Sequence, residues 1–229
     1  MWLTPGEIEA LRLSLSVAMR SVLASLPPAI AFAWLLSRRQ FAGRTVLDAL
    51  VHLPLVLPPV VVGYLLLVVF GAHGAVGAWL QNAWGIELVF TRNGAALATA
   101  VMSFPLMVRA MRISLETVDR GLEEAARTLG AGGFDRFVTI TLPLMLPGIL
   151  AGGITAFAAA LGEFGAVITF VSNIPGETRT LPLALYSALQ SPGGDRAAAR
   201  LAALSVLLGM AGLLLAEWFA RHVRRLLGH

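Results

Sequence analysis

Five stretches of this chain are apolar over a length that crosses a bilayer, and they constrain its fold more than any other feature. They run approximately over 11–37, 46–71, 94–116, 138–170 and 197–220. A spanning helix needs about 20 mainly apolar residues. Between them little is left to cover a soluble surface: 57% of the 229 residues are hydrophobic and 13% charged, against about 45–50% and about 25% in soluble domains. The expected fold is all-α and integral to the membrane, one domain over 1–229 with five spans. The segment Leu181–Gln190 is too short to span alone and reads as a re-entrant or interfacial helix, the one place for part of a sixth crossing. The N-terminal MWLTPGEIEALR has no positive start before an apolar run, so the first span is expected to be retained.

Charge sets the orientation. All 17 basic residues are arginine. If the connection 38–45 is cytoplasmic, so are 109–136 and the tail after 220. Those regions hold Arg38, Arg39, Arg44, Arg109, Arg112, Arg120, Arg127, Arg136, Arg221, Arg224 and Arg225. The bias predicts an outside N-terminus and a cytoplasmic C-terminus. The same arginines account for the basic balance without nucleic acid. The absence of lysine removes the P-loop, Schiff-base and kinase lysines together, so no nucleotide site is expected in this chain. The absence of cysteine removes disulfides and thiolates.

Prolines cluster within the spans: Pro27 and Pro28, then Pro54, Pro58 and Pro59, then Pro105, then Pro143 and Pro147. Each lacks a backbone donor and predicts a bend. Bent helices with Gly63, Gly148, Gly152, Gly153, Gly162 and Gly165 suit a bundle around a translocation pathway, although proline and glycine are common in membrane helices generally. His52, His73, His222 and His229 lack ligand spacing, and no metal site is expected. Trp2, Trp34, Trp79, Trp84 and Trp218 read as an aromatic belt.

The longest cytoplasmic connection, 117–137, carries the most information. Glu123–Leu129 reads as a short helix with Asp119 as its cap and Gly130 as its stop. Ala125 and Ala126 make a face that another surface can approach closely; Leu129, Phe134 and Phe137 supply apolar contacts. An amphipathic helix lying on lipid is the alternative. Acidic Asp119, Glu123, Glu124 and Asp135 disfavour an anionic leaflet and favour a protein partner.

Glu124-Ala125-Ala126, Gly130 and Leu142-Pro143, with Leu115 nine residues before Glu124, resemble the EAA loop of permease subunits of bacterial ABC importers. His52–Leu67 and Leu161–Tyr186 are similar to molybdate permeases, and the general layout is shared with sulfate/thiosulfate permeases. The resemblance implies the type I ABC importer permease fold, a homodimer whose first helix wraps the other subunit, and two cytoplasmic ATPases that use ATP and Mg. It also implies a periplasmic or extracytoplasmic oxyanion-binding protein, with no cofactor in this chain. Glu123, Glu124, Ala125, Ala126, Leu129, Gly130 and Phe134 are then the residues expected to couple to the ATPase. The cargo implied is molybdate, with sulfate, thiosulfate or tungstate as alternatives.

Ser172, Asn173, Thr178, Arg179 and Thr180 form a polar segment at the outer end of the fourth span. Arginine and hydroxyls suit an oxyanion; docking of the binding protein, or capping, explains them equally well. Glu163 is an acid in an apolar run and a functional candidate. It reads as a gate or inter-subunit contact, paired to arginine or backbone amides, or as an ordinary interfacial acid. Arg20 reads as snorkelling outward, and Glu217 as pairing with Arg221. A membrane-embedded enzyme would need a nucleophile and base, or acids with a metal, at membrane depth. No span holds such a group. A secondary transporter would show two related halves, and no such repeat is visible.

Overall fold

The structure is a computed structural model describing residues 3–226, with the side chains at 120, 216, 217 and 219–226 excepted. The Glu217–Arg221 pairing, Trp2, His222, His229 and the side chains of the basic tail lie outside the described residues. Fourteen short and long elements follow one another, and all of the described elements are helical.

The first helix, α1, spans Pro5–Arg38, beginning earlier than the apolar run. Thr4 and Glu7 form a reciprocal cap: Glu7 N donates to Thr4 Oγ1 at 3.3 Å, and Thr4 N to Glu7 Oε2 at 2.7 Å. Two backbone donors are thereby satisfied, and Pro5 at the first helical position loses nothing. The helix runs on through Pro27 and Pro28. Its buried line includes Ala10, Ser14, Ala18, Ser21, Ser25, Ala29 and Ala33. Small residues spaced at about one turn let neighbouring backbones come close, which is how helices associate where lipid offers no hydrophobic drive. The neighbours are α5 (Arg92–Thr117) and α9 (Leu146–Gly162).

The second and fourth apolar stretches are broken. Helix α2 (Arg44–His52) and a 3-10 turn at Leu53–Leu55 precede α3 (Pro59–Phe70), which turns by 114°. A residue before proline is pushed out of the helical region, and Pro58 is accordingly extended at φ −55°, ψ 136°. The fourth stretch enters through α7 (Gly133–Arg136), a π-helical turn at Phe137–Thr141 and α8 (Leu142–Leu144). It bends by 63° into α9 and breaks again before α10 (Gly165–Val171). Helices α1, α5 and α12 (Asp195–Leu226) are each long and apolar enough to cross a membrane; with each bent pair taken as one span the number is five. Helix α11 (Leu181–Leu189) has 9 residues and supplies no sixth span. Helix α4 (Ala75–Trp84) joins α3 to α5.

Two buried clusters stack along the bundle. One joins Val62 and Leu66 of α3, Ala95 and Ala98 of α5, and Val167 and Phe170 of α10. The other joins Ala29, Ala33 and Leu36 of α1 to Met107, Met111 and Leu115 of α5 and Ala156 of α9. Glycine permits the closest approach: a Cβ on Gly148 would lie 2.3 Å from Ser114 Cβ of α5. At one end, buried Glu7 accepts from Arg200 Nε and Nη2 at 3.0 and 2.8 Å, joining the starts of α1 and α12. At the other, Arg112 donates to Asp48 at 2.7 Å and joins α5 to α2. Along α12, Val206, Leu207, Met210, Leu213 and Leu214 are exposed, as a lipid-facing surface requires.

Candidate functional site

The polar residues of the loop 117–137 and of the segment 172–180 form two groups at opposite ends of the bundle, with Glu163 between them. At the Arg38 end lies α6 (Arg120–Thr128), three residues longer at its start than expected. Asp119 caps it, Oδ1 accepting from Gly121 N at 2.8 Å. Its stop is formed by Gly130 at φ +88°, with Gly130 N donating to Arg127 O at 3.1 Å and Ala131 N to Ala126 O at 3.0 Å. This paired closure satisfies the last carbonyls and favours glycine at the left-handed position. Leu129 and Phe134 are then thrown outward, 88% and 82% exposed. Glu124 and Ala125 are exposed beside them, and Ala126 is half-buried. Two large apolar side chains held clear of their own fold present an adhesive surface.

Glu123 differs from the rest of its group. It turns inward, where Thr141 Oγ1 donates to its Oε1 at 2.9 Å and Arg38 Nη2 lies 3.1 Å from the same oxygen. Arg136 Nη1 reaches the Glu123 carbonyl at 3.5 Å. Trp34 meets Phe137 edge to face at 6.1 Å, and Arg39 lies over the Trp34 ring at 5.5 Å. A cavity of about 560 Å³ opens between Trp34, Arg39, Glu123, Phe134 and Phe137. Sequence reasoning missed Arg38 and Thr141 as partners of this loop. In the sequence Arg38 counts only toward the charge bias, although a basic residue closing a span beside an acidic loop is a usable signal.

At the opposite end, the segment 172–180 is knotted by its own side chains. Arg179 Nε donates to Asn173 Oδ1 at 2.9 Å, and Asn173 Nδ2 to Ser187 Oγ of α11 at 2.7 Å. Buried Thr178 accepts from Ile174 N at 2.9 Å and donates to Ser172 O at 3.0 Å. Thr180 is buried, while Ser172 is exposed at φ +63°. Arg92 at the start of α5 holds Glu177 at 3.4 Å and bonds Gly176 O. Arg20 reaches Asn93 Oδ1 at 3.0 Å, near the same end.

Glu163 sits at the α9–α10 break. Its Oε1 accepts from Ala166 N at 2.9 Å, so of the sequence alternatives it takes a backbone amide. This break lies on the other one: Cβ positions at Gly165 and Gly63 would fall 2.7 Å from Pro59 Cβ and Ala166 O respectively. Two interrupted spans thus cross where neither is helical throughout. Non-helical backbone at membrane depth is tolerated where protein buries it or a cavity takes it up. Among the described residues, no three His, Asp or Glu gather closely enough to hold a metal.

The family described as the binding-protein-dependent transport system inner membrane component matches residues 11–225. The chain belongs to that family. This transport component is 59% identical over 228 residues to the molybdenum transport system permease protein ModB of Escherichia coli, covering 100% of both chains. With ModB of Haemophilus influenzae it shares 54% over 222 residues, 97% of each. A probable sulfate transport system permease protein of Nephroselmis olivacea is more distant, 36% identical over 98% of this chain and 78% of that one. The fold matches a bacterial ABC transporter involved in alginate import, at TM-score 0.75 and 20% identity over 96% of this chain and 81% of that one. The transport component therefore has the type I importer permease fold expected from the EAA loop, and it is a transport subunit rather than an enzyme.

Proposed function

We propose that this chain is the permease subunit of an ATP-driven molybdate importer in the cytoplasmic membrane. The observation that carries the reading is the outward display of Leu129 and Phe134 beside a capped α6, in a chain 59% identical end to end to a molybdenum permease. The coupling group Glu124, Ala125, Ala126, Leu129, Gly130 and Phe134 meets the ATPase, while Glu123 holds α6 from behind. ATP and Mg belong to that partner. Two copies of the chain, two ATPases and an extracytoplasmic binding protein complete the machine. Arg38, Arg39, Arg112, Arg127 and Arg136 share the α6 end, which supports a cytoplasmic position for that end and the C-terminus, with the N-terminus outside. Closure of the ATPases moves α6, and the broken spans exchange inward for outward access; each ligand must favour one of the two states for this to work.

In liposomes holding the permease, its ATPase and its binding protein, molybdate uptake is expected to require ATP, with excess sulfate competing weakly. Uptake without the ATPase would overturn the class, and equal competition by sulfate would reassign the cargo.

The segment 172–180 acts as a docking face for the binding protein. Its Arg179 is already committed to Asn173, which leaves less of it for the ion. Arg179→Ala removes a charge-assisted bond and is expected to lower stimulation of ATP hydrolysis by loaded binding protein about tenfold. ATP hydrolysis without binding protein is expected to stay the same. Unchanged stimulation would remove Arg179 from this role.

A further inference from the structure

The geometry points to α1 as a driven rod: Arg38 fastens its inner end to the coupling helix, so displacement of α6 is carried by α1 to the opposite end of the bundle. Arg38 and Thr141 are positioning residues for transport in this scheme, which rests on the reading that α6 grips the ATPase.

Three elements meet on one carboxylate. Arg38 closes α1, Glu123 belongs to α6, and Thr141 closes the π-helical turn leading into α8 and α9. The Arg38 side chain is 9% exposed, and neither its Nε nor its Nη2 makes a hydrogen bond, so Glu123 holds it as an ion pair at 3.1 Å. A buried guanidinium so poorly supplied depends on its carboxylate, because separation would leave a charge uncompensated away from water. Trp34 against Phe137 adds a second tie between α1 and the same turn.

A rod also needs stiffness and a far attachment. Helix α1 is continuous for 34 residues, through both prolines. Its first turn is bound by Glu7 to Arg200 at the start of α12, and Ser14 Oγ accepts from Leu181 N at 2.7 Å at the start of α11. Helix α11 in turn holds Asn173 through Ser187. The chain of contacts therefore runs from α6 to the segment 172–180 by way of one unbroken helix. Such a link couples two ends only if its members keep contact through both states.

The test uses the complete transporter in liposomes, with ATP hydrolysis and molybdate uptake measured together. Arg38→Gln should retain the ATPase through purification yet raise the ATP hydrolysed per molybdate imported about tenfold, within the usual range of coupling between sites. The exchange Arg38→Glu with Glu123→Arg should bring that ratio back toward the native one. A native ratio in Arg38→Gln, or an exchange that assembles without recovery, overturns the proposal. Should Arg38→Gln fail to fold, the chain's lack of native cysteine allows a second route. Thiols placed at 38 and 123 and joined by a bifunctional reagent should leave uptake intact. Uptake halted by the linker and restored on its cleavage would mean that α1 and α6 must part, and the rod fails. Leu129→Glu run alongside separates the two readings. If it keeps the ATPase bound, the docking reading itself is wrong. If it loses the ATPase while Arg38→Gln couples normally, the docking reading stands and the link through α1 is wrong.

Discussion

Replacing Leu129 and Phe134 together with glutamate is expected to release the ATPase and abolish uptake while leaving the permease itself folded. Both side chains are almost fully exposed, so the isolated chain loses no packing. Burying each against a partner is worth about 1.5–3 kcal/mol, and together about 4 kcal/mol, roughly a thousandfold in affinity. Two charges placed in the same interface add a desolvation cost. The measurement is co-purification in detergent, with the melting temperature of the permease alone as the control. Retained ATPase with a native melting temperature would return the loop to its alternative, a helix lying on lipid.

The second large effect is expected where the two broken spans cross. Gly63→Val would set a Cβ 2.7 Å from Ala166 O, 2.8 Å from Thr169 Cβ and 3.0 Å from Ala166 Cα. Two of those three atoms are backbone, and α10 is held by the Glu163 cap at its start, so neither wall yields by a rotamer change. Overpacking of this kind costs about 3 kcal/mol. It should appear as a lowered melting temperature in detergent and as lost uptake. Gly162→Ala is the matched control: nothing lies within 4 Å of its Cβ position, and it should transport normally. Equal tolerance at both positions would mean that the crossing is looser than its geometry requires.

Much of the architecture is legible in the sequence. Length and apolarity alone separate spans from connections, because an isolated backbone in lipid must form helix. The helix of the loop 117–137 is equally legible, since its cap at Asp119 and its stop at Gly130 are local signals that do not depend on the rest of the fold. What α6 rests on is not legible. Glu123 reads like its neighbour Glu124 in sequence, yet one faces Thr141 and Arg38 and the other faces solvent. The difference comes from residues 18 positions later and 85 positions earlier in the chain, which no local pattern brings together. The segment 172–180 is ambiguous in a similar way. In sequence Arg179 and Asn173 suit an anion contact or a docking or capping role alike, and the structure has them bonded to each other and to α11.

The two proline pairs mark where sequence ends and tertiary structure begins. Composition and the length of the apolar runs determined a helical membrane bundle and its arginine-rich end, and local cap and stop signals determined the short helix α6. Pro27-Pro28 and Pro58-Pro59 carry the same dipeptide and the same prediction of a bend. Only the fold decided that the first stays within a 34-residue helix while the second sits at a 114° turn. Around Pro27 and Pro28, α1 is lined by Ser25, Ala29 and Ala33, all buried against the bundle, and that close packing holds the helix where its own hydrogen bonds are missing. Ahead of Pro58 the helix has already ended in a 3-10 turn at Pro54. Pro59 then packs on Gly165 of the other broken span, so the turn is the arrangement that the neighbouring break accommodates.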